Sequence, residues 1–185
     1  MKGNGLLIVI VVLVIIAVSF GGSYNKISVM DEDVNNAWAQ VENVLKRRAD
    51  LIPNLLSTVQ GYAAHEKEVL LEITKARAGL ESANSPQEYA EANANFDQAI
   101  RDLNIVVEAY PELKANQNFL EFQTELANTE NKISTERLRY NDSVKIYNTT
   151  IRRFPTNLLA GVFNFDKRQY FEINQQDAEV PKVEF

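Results

Sequence analysis

Cysteine is absent from this 185-residue chain, and histidine occurs once. With no thiol there is no disulfide, no thiolate metal site and no cysteine nucleophile. Glycine and proline are scarce, at seven and five. So few turn-forming residues disfavour an all-β fold, which needs many tight turns. The glycines never cluster into a phosphate-cradling loop. Basic residues are outnumbered, 19 against 25 acidic ones, for a net charge of −6. The two short basic clusters, Lys46-Arg47-Arg48 and Arg152-Arg153, lie far apart in the chain. Nucleic-acid binding, which needs one concentrated basic face, is disfavoured.

One region is rich instead of poor. LLIVIVVLVIIAVSF, residues 6–20, carries no charge. Extended to the flanking glycines, the stretch covers residues 3–22, long enough as a helix to span about 30 Å of bilayer core. The expectation is one N-terminal transmembrane anchor over residues 1–23. A cleaved secretory signal is the alternative, with Ala17-Val18-Ser19 as the cleavage site and a secreted soluble chain as the product. Lys2 and the α-amino group precede the run, and Lys26 follows it before Asp31, Glu32 and Asp33. That distribution favours a cytoplasmic N-terminus and an extracytoplasmic domain.

Beyond the anchor the pattern is helical. Met30, Val34, Ala37, Val41, Val44, Arg48, Leu51, Leu55, Thr58 and Tyr62 alternate in steps of four and three. Trp38, Leu45, Ile52, Leu56, Val59 and Ala63 widen that face. A second helix over residues 66–83 carries Val69, Leu70, Ile73, Ala76, Arg77 and Leu80. Ser85, Pro86 and Glu88 then form the N-cap, first position and capping box of a third. Its stripe is Tyr89, Ala92, Phe96, Ala99, Leu103, Val106 and Tyr110. Pro111 ends it, and a long fourth stripe follows through Phe119, Gln123, Leu126, Glu130, Ile133, Arg137, Tyr140, Val144, Tyr147, Ile151 and Phe154. Pro155 stops that helix.

Short turns between four helices predict an all-α, up-down-up-down, antiparallel four-helix bundle over residues 24–155, with long first and fourth helices of coiled-coil type. Residues 156–185 form an aromatic tail docking on the bundle. Pro53 falls inside the first helix. Because the stripe keeps its phase through it, a kinked continuous helix is expected in preference to a true break.

Antiparallel pairing of the first and fourth helices brings Arg48 level with Glu130, and Trp38 level with Tyr140. Arg48, Glu130 and Arg137 are therefore the candidate inter-helix polar layer. Its plainest role is to fix register, and a ligand site between the helices is the sharper alternative. His65 has no second histidine or thiol near it in sequence, so no metal, cofactor or catalytic residue is expected. Asn141-Asp142-Ser143 and Asn148-Thr149-Thr150 match glycosylation sequons but fall inside a predicted helix. In the tail, Phe163, Phe165, Tyr170 and Phe171 form a candidate partner or membrane-facing patch. Val180 to Phe185 alternates apolar and other residues and reads as an extended strip.

KRRADLIPNLLSTVQGYAAHE at residues 46–66 resembles the signature of the LemA family. So do EAYPELKANQNF at 108–119, TENKISTERLRYNDSVKIYNTTIRRFP at 129–155, and the tail with Gln169-Tyr170-Phe171-Glu172 and Pro181-Lys182-Val183. The anchor followed by Tyr24-Asn25 is similar too. The resemblance implies a single-pass bacterial membrane protein with an antiparallel helical bundle, and it brings no established biochemical activity. The functional expectation is a non-catalytic scaffold or adaptor. Its partners would be the bilayer, other membrane or membrane-associated proteins, and a second copy of itself in a homo-oligomer. An enzymatic or ligand-binding bundle is the alternative.

Overall fold

A computed structural model describes residues 3–172; within its first helix the side chains of residues 3–6, 9, 12 and 15–17 lie outside the description. The expected strip over residues 180–185 lies outside it as well. The described chain is all-α, with no strand. Seven helices follow one another: α1 (Gly3–Asp50), α2 (Ile52–Gln60), α3 (Lys67–Ser82), α4 (Pro86–Val107), α5 (Pro111–Lys114), α6 (Gln117–Arg152) and α7 (Thr156–Phe163). They form two compact units. One takes Met1–Trp38 and Arg139–Arg168, the other Ala39–Leu138 and Gln169–Phe185. Both long helices, α1 and α6, contribute to each.

In the unit that begins at Ala39, Pro53 leaves its mark as a one-residue interruption. Leu51 separates α1 from α2, yet its backbone stays in the right-handed helical region at φ −72°, ψ −24°. The Leu51 amide reaches back three residues to the Arg48 carbonyl at 3.2 Å, and the Leu55 amide bonds to Leu51 at 3.2 Å. The chain thus loses regular helix for one residue and keeps its phase. Leu45, Arg48, Ile52, Leu55 and Val59 are all buried. Proline at the second position of α2 gives up an amide that a helix start leaves unpaired anyway.

The remaining boundaries follow local chemistry. Ser85 Oγ accepts from the Glu88 amide at 3.2 Å. The Glu88 carboxylate accepts from the Asn84 amide at 2.8 Å, one residue before the cap residue that a capping box uses. Below this start, Tyr89, Ala92, Phe96, Ala99 and Leu103 of α4 are buried, as their spacing predicts. Ile73, Ala76 and Leu80 of α3 pack along α4. Tyr110, just past α4, donates to Glu66, just before α3, at 2.8 Å, so the two helices run antiparallel. Asn116 likewise donates to the Tyr62 hydroxyl at 3.1 Å and brings the start of α6 to the end of α2.

In the other unit, α1 and α6 pair through Trp38 and Tyr140, ring centroids 5.1 Å apart, as the expected register requires. Ile27 and Val34 of α1 and Val144, Tyr147 and Ile151 of α6 are buried there. After Pro155 the chain turns into α7, which ends at Asn164 in the left-handed conformation at φ 56°. Asparagine tolerates that geometry better than most residues.

Candidate functional site

The centre of the second unit is a buried guanidinium. Arg48 sits in the last turn of α1 with its side chain 3% exposed. A charge so enclosed needs partners on every side. Nη1 donates to Asn93 Oδ1 at 2.6 Å and to Glu130 Oε2 at 2.7 Å. Nη2 pairs with Asp97 Oδ1, and Asn93 Nδ2 holds the other oxygen of that carboxylate at 3.3 Å. The guanidinium carbon lies 4.6 Å from the Phe96 ring centroid, adding a cation–π contact. Asn93, Phe96 and Asp97 lie within a single turn and a half of α4, so one helix face supplies three of the contacts.

The cluster holds two carboxylates against one cation. The imbalance is tolerated because the acids are wetter than the base: the Asp97 side chain is 29% exposed and that of Glu130 50%. Arg48 Nε has no hydrogen-bond partner among the described residues. A groove of about 480 Å³ adjoins the cluster, lined by Arg48, Asp97 and Glu130 with Arg101, Phe122 and Leu126 among others.

Of the predicted polar layer, the structure brings Arg48 and Glu130 together and leaves Arg137 exposed. The reason is the phase of α6. Its buried line runs Phe119, Phe122, Thr129, Ile133, Tyr140, Val144, Tyr147 and Ile151. Gln123, Glu130 and Arg137 are one position off that line and exposed. Glu130 still reaches Arg48 from the flank. Arg137 points its long stem out of the seam. Asn93 and Asp97 were not anticipated, although their spacing of four on one face of α4 is the signal that could have flagged them.

A second polar cluster occupies the first unit. Arg168 grips Asp31 of α1 with two parallel hydrogen bonds, Nε to Oδ1 at 2.9 Å and Nη2 to Oδ2 at 3.0 Å. Asn148 of α6, only 4% exposed, donates to the Arg168 carbonyl and accepts from its amide, both at 2.9 Å. The amide side chain thereby satisfies both backbone polar groups of Arg168, which lies in a segment without regular secondary structure. Tyr147 is buried beside this cluster. Its phenol is pushed up to about 12, first by desolvation and then by the Asp31 charge and hydrogen bond, against a lowering by Arg168. Burial likewise pushes Tyr140 up to about 12.

The predicted aromatic patch divides. Phe163 is exposed, and Phe165 and Tyr170 are half-buried. Phe171 is 3% exposed and withdrawn from any surface role. Phe163 and Phe165 stack on Tyr24 at centroid distances of 4.8 and 5.7 Å. His65 is exposed in the turn before α3. Among the described residues no group of three acidic, histidine or cysteine side chains could hold a metal ion. Among them, too, no helix is long and apolar enough to cross a membrane.

Comparison with known proteins agrees with the motifs. The model of the LemA family matches residues 37–185, which include both polar clusters apart from Asp31. Protein LemA of Metamycoplasma hominis is 28% identical over 169 residues, covering 88% of this chain and 76% of its own. Magnetosome protein MamQ 2 of Paramagnetospirillum magneticum is 26% identical over 175 residues, and Magnetosome protein MamQ of Magnetospirillum gryphiswaldense is 24% identical over 174. Each of those matches covers 80% of this chain and 64% of the relative, so the chain spans less than two thirds of the magnetosome proteins.

Proposed function

We propose, from the premise that this chain belongs to the LemA family, that it is a non-catalytic scaffold or adaptor held at a bacterial inner membrane by one N-terminal helix. The observation that carries the reading is the surface of α1 before Phe20. Leu7, Ile8, Ile10, Val11, Leu13, Val14 and Val18 are between 47% and 70% exposed. At 100° per residue they cover more than half the helix circumference. Water would penalise so large an uncovered apolar surface, and lipid would not. Membrane crossing itself rests on the uncharged, largely apolar run of the sequence over residues 3–22.

Beyond the membrane, α1 with α2, α3, α4 and α6 form an antiparallel four-helix bundle on the extracytoplasmic side. The Arg48 cluster is its register lock, holding α1, α4 and α6 at one level. The bundle presents a rigid side surface to membrane proteins or to a second copy. Alkaline carbonate extraction of cell membranes tests the anchor. The full chain should stay with the lipid and a chain starting at Ser23 should be released. Full-length protein in the wash overturns it. N-terminal sequencing excludes the secreted alternative when Met1 or Lys2 is found at the mature end. For the adaptor role, photo-crosslinkers on exposed helix faces should trap protein neighbours in cells. Monomer alone at every position counts against it.

The groove beside Arg48 favours a second reading, a small-ligand site. It is the weaker one, because both Nη atoms are already committed to Asn93, Asp97 and Glu130.

A further inference from the structure

Helix α7 has two faces and only one is covered. Leu159 and Ala160 are buried. Leu158, Val162 and Phe163 are 52%, 73% and 51% exposed, and Phe154 just before the helix is 81% exposed. Leu158 and Val162 are spaced by four, so they form an uncovered stripe on one side of α7, and the polar residues of α7 are confined to its first two positions. A stripe of this kind on an eight-residue helix wants an apolar or interfacial neighbour.

Three observations say which one. The first is height along α1. Tyr24 stacks on Phe163 and Phe165 at 4.8 and 5.7 Å, within the same compact unit. Tyr24 is two residues past the apolar run, about 3 Å along a helix. The interfacial layer outside a bilayer core is about 5–7 Å thick on each side. The three rings therefore fall inside that layer, where aromatic side chains concentrate. The second is continuity: Phe163, at the end of α7, stacks on Tyr24, which lies one helical turn past Phe20 at the end of the exposed apolar surface of α1. The third is charge. The chain as a whole is acidic, at −6, yet residues 152–167 carry Arg152, Arg153 and Lys167 against Asp166 alone. All three basic side chains are exposed. Anionic headgroups complement that arrangement.

We infer that α7 is a second membrane contact: its exposed Leu158 and Val162, with Phe154 before the helix and Phe163 at its end, bed into the headgroup layer of the same bilayer that holds α1. The inference rests on the anchoring reading above and adds to it. A lone spanning helix is free to rotate about the membrane normal. A second contact through α7 fixes which side of the protein faces the lipid.

The lack of native cysteine makes the test clean, because one introduced cysteine carries one spin label. Full-length chains with Val11→Cys, Leu158→Cys, Val162→Cys or Ile146→Cys are placed in phosphatidylcholine–phosphatidylglycerol nanodiscs. Collisions of each label with oxygen, which partitions into lipid, and with a water-soluble nickel chelate are measured. Ile146, 56% exposed on α6, is the aqueous control. The inference expects oxygen-to-nickel ratios at 158 and 162 several-fold above that at 146, on the side of the value at 11. A lipid-like label at 11 with water-like labels at 158 and 162 overturns the inference and leaves the anchor standing. A water-like label at 11 defeats the anchoring reading and the inference together. Labels at 158 and 162 that are immobile and shielded from both reagents mean that protein covers the face, which also overturns it.

Discussion

Two arginines are built into this protein in opposite ways. Arg48 is the buried member of its cluster, and its carboxylate partners are the exposed ones. Arg168 is 40% exposed, while Asp31, its partner, is 25% exposed. Arg48 joins three helices, each regular and self-sufficient in backbone hydrogen bonds. Arg168 ties down a segment without regular secondary structure, and its own amide and carbonyl are satisfied by the Asn148 side chain. In the first cluster the cation is hard to rehydrate, so its partners are indispensable. In the second the ion pair can dissolve into water, and the neutral asparagine bears the larger share.

The largest expected effect follows from stranding the buried cation. Asp97→Ala with Glu130→Ala leaves Arg48 without a carboxylate, held by Asn93 and the Phe96 ring, and should cost about 3–5 kcal/mol of unfolding free energy. Replacing Arg48 by Met removes the charge and keeps an apolar stem beside Phe96. The two carboxylates left behind can turn to solvent, so the cost should be about 1–2 kcal/mol. Urea unfolding followed by circular dichroism gives both values. An Arg48→Met loss equal to the double-acid loss would show that the acids are as enclosed as the base.

Next in size is Asn148→Ala, which leaves the Arg168 amide and carbonyl without their partner and should cost about 1–3 kcal/mol. Asp31→Asn breaks a pair whose members are both partly wet, and should cost about 1 kcal/mol or less. If Asp31→Asn proved the more damaging, the contrast drawn between the two clusters would be reversed.

How far these clusters were legible from the chain depended on regular helix. The Arg48–Glu130 and Trp38–Tyr140 pairings followed from counting positions along two antiparallel helices, because a fixed rise turns residue number into height. The stripe of α6 was harder. Two lines, one through 122, 129 and 136 and one through 123, 130 and 137, share Phe119, Leu126, Ile133 and Tyr140. Steps of three and four in either order satisfy the same period, and only packing selects between them. The chain took the first line, burying Phe122 and Thr129, so Arg137 fell outside. Asn148 had no signal of this kind. Its partner is a backbone in an irregular segment, whose course no periodicity predicts. Pro53 was half legible: phase retention was evident, the one-residue loss of helix at Leu51 was not.

High pH probes the second cluster through its buried tyrosine. Tyr147 titrates near 10 when unfolded and about 12 when folded, held up by desolvation and by Asp31. Between those values the unfolded chain has released a proton that the native chain still holds. Stability should therefore be level below pH 10 in this respect and fall as pH rises towards 12. Thermal melts across pH 8 to 12 read that fall. Tyr147→Phe should start slightly less stable, having lost the contact with Asp31, and then fall less steeply. Tyr140, also raised to about 12, keeps the slope from vanishing. An unchanged slope would mean that the Tyr147 phenol is hydrated in solution.

The smallest effect is expected at Arg137, and its smallness is informative. The side chain is exposed and one step off the buried line of α6. Arg137→Ala should shift stability by no more than about 0.5 kcal/mol in either direction, as for surface positions in general. Arginine and alanine are both good helix formers, so propensity will not obscure the result. Had α6 packed along the alternative line, the same substitution would delete a charge from an enclosed seam and its cost would approach that at Arg48. A loss of about 1–2 kcal/mol or more would therefore rotate α6 by one residue. It would also withdraw Phe122 and Thr129 from the core, and with them the reason that Glu130 can stay half in water while neutralising Arg48.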